Sequence, residues 1–271
     1  MEIFLVPAVT SSLLLLLPMT MISAMAFDNA FTTRNSPALF NLAWMTKMHW
    51  DGGINHIEVQ PLTPLTAQNK IAETIENVLS KLRTDTVYPK LFKYAFGNTD
   101  INSQRMLKAL AQFMGSIISS NSKYDKVQRG EASFTSTEQN GYAFFKAKCD
   151  ACHKEPLFTD NSFRNSRLAA NPLLNDLGRM GISNDKNDSL KFKVPSLRNI
   201  MLTFPYSHDG KFYSLSAVID HYRTGIITSQ PILDRLLVNR IAITNTEKND
   251  LINFLNTLTD TTLTKATRFS K

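Results

Sequence analysis

Cysteine is scarce: the 271-residue chain has two, Cys149 and Cys152. Two thiols exclude a cysteine-rich disulfide framework and leave no second Cys pair to complete a zinc site. They also limit any thioether-linked cofactor to one. Runs of like charge are missing too. The 30 Lys and Arg and 23 Asp and Glu are scattered, so the net charge of +7 carries no stripe suited to a nucleic-acid groove. A pI near 9.4 fits a solvated lysine-rich exterior, and also an acidic redox partner or an anionic membrane surface. There is no Pro-rich or repeat signature and no persuasive strand alternation. What remains is helical periodicity, and the fold class read from it is mainly α.

The first basic residue is Arg34. Before it, residues 1–26 are apolar, and Ala24-Met25-Ala26 resembles a cleavage site. Glu2 in place of a basic n-region, and Pro7 and Pro18, argue against a clean signal or a spanning helix. A cleaved signal, a retained anchor and a truncated start all stay open. After a turn at Arg34-Asn35-Ser36-Pro37 and a loop with Trp50, helices are predicted over 69–82, 88–96 and 101–119. Residues 120–132 are polar and are taken as a domain boundary. Thr135-Ser136-Thr137-Glu138 and Thr244-Asn245-Thr246-Glu247 are capping boxes that open two more helices. A further helix begins at Ser214 and runs through Tyr222, after a long irregular stretch over 158–190 of the kind that serves a site.

Both cysteines fall in Cys149-Asp150-Ala151-Cys152-His153, the C-x-x-C-H attachment signal of a c-type haem. Two thiols on one helical turn can each add to a haem vinyl group, and the next residue then lies under the iron as proximal ligand. A redox dithiol needs a βαβ context that is absent, and a plain disulfide would not need His153. Haem c is attached outside the bacterial cytoplasm, so this reading implies export to the periplasm, with membrane anchoring by residues 1–26 as the variant.

Several ordered motifs extend the reading: Arg34-Asn35-Ser36-Pro37, Trp50-Asp51-Gly52, Gln60 with Pro64, the C-x-x-C-H, residues 194–199 (Val-Pro-Ser-Leu-Arg-Asn), and Pro205-Tyr206 with His208-Asp209-Gly210. Over roughly residues 34–260 the chain resembles the bacterial di-haem cytochrome c peroxidases and the MauG group. The resemblance implies two cytochrome c-like domains. The second, at 133–262, is intact, and the first, at 27–132, is an incomplete remnant without its own C-x-x-C-H. Residues 1–26 form the leader and 263–271 a tail.

Carried over, the resemblance implies one covalent haem on Cys149 and Cys152 with His153 as axial ligand. Tyr222 is the candidate sixth ligand, ahead of His221 and Met201. Trp50, which matches the residue between the two haems, and Gln60, which falls in place with Pro64, are the candidate catalytic residues. Arg198 is a candidate for a haem propionate, with a surface ion pair as the alternative. Asn35, Thr203 and Pro205 match a calcium site of oxygen donors. The family glutamate that assists O–O cleavage falls at Lys70, which cannot act as a carboxylate base; Glu73 is the nearest substitute. The implied function is a haem oxidoreductase directed towards hydrogen peroxide, with a small redox protein as electron donor. The alternative is a mono-haem electron-transfer protein or an inactive truncated peroxidase. Family members often dimerise, though no stretch here argues for a homodimer.

Overall fold

The computed structural model describes residues 32–67, 71–169, 171, 174–227 and 234–269. The apolar leader and Lys70 therefore lie outside the described residues. The chain is mainly helical. Ten α-helices are seen among the described residues: α1 (Leu62–Thr66), α2 (Ile75–Thr84), α3 (Tyr88–Phe96), α4 (Ser103–Ser116), α5 (Lys123–Gln128), α6 (Ser136–Lys148), α7 (Met180–Ser183), α8 (Leu215–Asp220), α9 (Asn245–Asn256) and α10 (Thr261–Thr264). The strands are two-residue pieces, β1 (Phe163–Arg164) and β2 (Phe192–Lys193), paired antiparallel. They are too short to show alternation, which is why the sequence carries no strand signal.

Apolar side chains gather into two cores. The first takes Phe40 to Ile117, with Leu79, Leu82, Phe92, Leu110 and Phe113 from α2–α4. The second takes Tyr124, Phe145, Phe158, Leu215, Ile219, Phe254 and Leu258. Helix α2 starts later than its periodicity suggests, because Thr74 caps it by accepting from Asn77 N at 3.1 Å. The polar stretch 120–132 is not a bare linker. Ser122 and Asp125 form a capping box that starts α5, and Tyr124 enters the second core. The predicted tail also packs: Leu263 and Phe269 cover the first core, with the Phe269 ring 5.9 Å from Phe113.

Helices α6 and α9 cross in the second core at a glycine. A Cβ on Gly141 would lie 2.0 Å from the Asp250 carbonyl oxygen, so only glycine lets the two backbones come so close. Phe145 and Phe254 meet at that crossing with ring centroids 5.1 Å apart. Both helices open on the capping boxes read from sequence, Thr135 with Glu138 and Thr244 with Glu247. The crossing sets the end of α6, and hence Cys149.

Candidate haem site

Cys149 is the C-cap of α6. The chain turns on helically from there: Cys152 N and His153 N both donate to Cys149 O, at 3.2 and 3.0 Å. The two thiols and the imidazole thus share one turn, and both cysteines are free. His153 Nδ1 lies 3.1 Å from the Phe158 carbonyl oxygen. That contact selects the tautomer with its proton on Nδ1 and leaves Nε2 as an unprotonated donor atom. Phe158 is held for this task. Leu197 N donates to its carbonyl, and Thr159 and Ser196 hydroxyls donate to Val194 O and Leu157 O, both at 2.6 Å. Burial lowers the His153 pKa, against the opposing pull of the Phe158 and Pro195 carbonyls, and so keeps the ring neutral.

Helix α8 does not run unbroken through Tyr222. It gives way at His221 to a π-helical turn, His221–Gly225. Such turns re-aim side chains and are frequent at functional sites. Burial pushes the Tyr222 phenol up to about 12, and the nearby Cys152 and Cys149 thiols add to the shift. Tyr222 therefore lies within electrostatic reach of both thiols. His221 faces elsewhere: its Nε2 lies 2.8 Å from the Ser166 carbonyl. Met201 packs against the second core, outside any contact with the thiols among the described interactions. Burial also raises Cys149 to about 12, which keeps its thiol protonated at neutral pH.

Arg198 is buried and already engaged. Its Nη1 and Nη2 donate to the two Asp125 carboxylate oxygens at 2.9 and 2.8 Å, and its Nε donates to the Pro156 carbonyl at 2.8 Å. Asp125 is opposed by burial, yet the Arg198 and Ser122 contacts win and hold its carboxyl below the usual range. The ion pair is thus interior, not the surface pair weighed from sequence.

Trp50 sits at the seam between the cores. Its indole N–H donates to Asn35 O at 2.8 Å, and its own carbonyl accepts from Lys193 N of β2 at 2.7 Å. Burial lowers the Lys193 ammonium to about 8. Asn35 reaches across the same seam, with its Nδ2 2.6 Å from Pro205 O and its backbone N–H 2.7 Å from His208 O. The Thr203 hydroxyl returns to Ile200 O at 3.3 Å. Asn35 and Pro205 are thus brought together, through the amide nitrogen in the orientation assigned. Gln60 is buried in the first unit, and its Oε1 has no hydrogen-bond partner. Glu73 is ion-paired with Lys81, which lowers its pKa. Sequence reasoning missed Lys193 and the buried Arg167, because neither stands in a motif and only burial marks them.

The thiol pair, the neutral imidazole and a buried phenol within electrostatic reach are groups that could hold a c-type haem. Residues 18–133 match the family model for di-haem cytochrome c peroxidase. The methylamine utilization protein MauG of Methylorubrum extorquens is 34% identical over 241 residues, which is 87% of this chain and 67% of that protein. The MauG of Methylophilus methylotrophus is 32% identical, over 85% of this chain and 69% of the relative. The chain thus spans about two thirds of the length of these relatives. The crystal structure of a MauG-like protein associated with microbial copper homeostasis is 32% identical, covers 92% of this chain and 82% of its own, and superposes with a TM-score of 0.83. The diheme peroxidase BthA from Burkholderia thailandensis, at 19% identity, shares the fold with a TM-score of 0.72. The chain belongs to the di-haem cytochrome c peroxidase and MauG family.

Proposed function

We propose that this chain carries one covalent haem c on Cys149 and Cys152 and moves electrons through it, by family towards hydrogen peroxide. The observation that carries the reading is the turn that brings Cys149, Cys152 and His153 together, with the His153 Nδ1 held by the Phe158 carbonyl. His153 has its Nδ1 committed to that carbonyl, and burial keeps the ring neutral. Burial raises the Tyr222 phenol to about 12, with smaller contributions from the nearby Cys152 and Cys149. His153 and Tyr222 would supply an imidazole nitrogen and a phenol oxygen as ligands to the haem iron. When bound, the haem supplies one-electron chemistry at iron. The protein's part is to hold the ring, choose its ligands and set its surroundings. A phenolate is a harder, anionic donor than a thioether, so Tyr222 favours ferric iron and a low potential.

Trp50 is proposed as the relay at the seam, since its indole and backbone join Asn35 of the first unit to β2 of the second. Gln60, buried with an unpartnered carbonyl oxygen, is proposed as a polar contact for substrate in the first unit. Asn35, Thr203 and Pro205 are proposed as neutral oxygen donors to a calcium ion bridging the seam. We take residues 27–132 and 133–262 as the two domain units, and a small acidic redox protein as the electron donor to the basic surface. The export that haem c attachment requires places the protein in the periplasm. No helix among the described residues is long and apolar enough to cross a membrane.

A second reading is electron transfer without peroxide turnover. It is favoured by Glu73, whose ion pair with Lys81 keeps it ionised and engaged, so that this carboxyl has no proton to deliver. The test is to export the chain in a strain with c-type maturation and count haem per chain by pyridine haemochrome. One haem is expected, and zero would overturn the proposal. Peroxide-dependent oxidation of a reduced cytochrome then separates the two readings.

A further inference from the structure

Among the described residues two arginines are buried, Arg198 and Arg167; Arg198 has a carboxylate partner and Arg167 is the exception. Arg198 pairs with Asp125, and Arg34 with Asp51 and Asp176. Arg164, three residues before the exception, pairs with Asp160 and Asp234. Arg167 is among the largest fully buried side chains, at 1% exposure. Its Nε and Nη2 are both buried and neither has a hydrogen-bond partner. A guanidinium cannot shed its proton to escape burial, so an uncompensated one is strongly destabilising. An anion that none of the described residues supplies belongs beside it.

The backbone around Arg167 ties it to the haem site. Residue 167 adopts a left-handed conformation, φ 55°, which costs a non-glycine residue energy. It is held there from both sides. Its N–H donates to Asn165 Oδ1 at 2.8 Å, and its carbonyl accepts from Ile227 N, just past the turn that carries Tyr222. Ser166, its neighbour, holds His221 through its carbonyl. The loop that leaves the C-x-x-C-H motif is thus strapped to the Tyr222 turn at Arg167. The acid groups that a haem brings into such a site are its two propionates.

We propose that Arg167 is the buried counter-charge for a haem propionate. The inference rests on the haem reading above. It moves the propionate role from Arg198, whose donors serve Asp125 and Pro156, to a residue whose Nε and Nη2 have no partner among the described residues. Arg167 is a positioning residue: it touches the rim of the cofactor and acts on the iron only through charge.

The test uses the haem-loaded protein, with Arg167→Gln and Arg167→Lys beside the unsubstituted chain. Haem is counted first. A chain without haem overturns the haem reading and this proposal with it, whereas a loaded chain tests the proposal alone. Resonance Raman is expected to show the propionate bending band moved to lower frequency in R167Q, for loss of its hydrogen bonds, and largely restored in R167K. Removing a cation near the ring favours the more positive ferric state. At a fixed poised potential the ferric-to-ferrous ratio of R167Q should therefore rise about tenfold. An unchanged band and ratio in folded, loaded R167Q would overturn the proposal. So would a structure of the loaded, unsubstituted protein with both propionates beyond hydrogen-bond reach of Arg167, a result that does not depend on either variant folding.

Discussion

Tyr222 and His153 show how one side chain's chemistry depends on the group that holds it. Each has been stripped of alternatives: His153 by the Phe158 carbonyl, Tyr222 by a turn that leaves its phenol in an apolar setting near two thiols. In the haem-loaded protein, Tyr222→Phe should abolish the phenolate-to-iron charge-transfer band, and Tyr222→Met should raise the midpoint potential, since a thioether stabilises ferrous iron. Optical spectra and a redox titration read both; unaltered spectra in Y222F would remove Tyr222 from the ligand set. The Arg198–Asp125 pair makes a different point. Removing one partner leaves a buried charge, so Arg198→Ala should cost about 3–5 kcal/mol in thermal or denaturant unfolding. The pH sign follows from Asp125, whose carboxyl is held below its ordinary value. Its contribution is complete above the unfolded carboxyl pKa of about 4 and is lost as pH falls through the folded value. Wild type should therefore lose stability on acidification below about pH 4, and D125N should lose less over that interval.

At the scale of elements, the crossing of α6 and α9 decides where the haem motif lies. Gly141 has the Asp250 carbonyl and the Phe254 Cβ so close that no larger residue fits without parting the helices. Gly141→Ala gains helix propensity yet should lose about 1–3 kcal/mol or more of stability through overpacking. Reduced haem loading should accompany it, because the end of α6 shifts with the helix. A G141A variant with unchanged melting and full haem content would show that the crossing has slack. The π-helical turn after α8 belongs to this scale as well. A continuous α-helix through residue 225 would rotate Tyr222 by a fraction of a turn, away from the position it holds relative to the thiols.

The whole molecule is two cores joined by a polar seam. Arg34 anchors that seam, pairing with Asp51 on the first unit and, through Nε and Nη2, with Asp176 on the long loop of the second. Burial opposes the Arg34 charge, but the two carboxylates outweigh it and raise its pKa above the usual range. Asn35, Trp50 and the Leu263–Phe269 return add backbone and apolar contacts across the same junction. Arg34→Ala should leave each core folded while loosening their union. The expected result is faster limited proteolysis near residues 118–122 and a melting curve that broadens or splits. A single sharp transition with unchanged proteolysis would show that the remaining contacts suffice.

Much of this was legible in the sequence because it is local. A capping box needs a hydroxyl and a carboxylate three residues apart, and both boxes, at Thr135 and Thr244, form as their spacing implies. The C-x-x-C-H spacing likewise dictates two thiols and an imidazole on one turn, since a helical turn spans those residues whatever surrounds it. Within the polar stretch 120–132, the burial of Tyr124 and Asp125 was not legible, because composition reports average solvation while both are buried by partners far along the chain. Arg198 lies 73 residues from the Asp125 it neutralises, and Arg34 lies 142 residues from Asp176. Burial and ion pairing of this kind arise from long-range packing, which no short window of residues encodes. The sequence by itself determined the helical class, the C-x-x-C-H turn and the family. Only the tertiary structure decided, among the described residues, which arginine is satisfied and which has buried donors without a partner, and that His221 turns to the Ser166 carbonyl while Tyr222 is buried within electrostatic reach of the thiols.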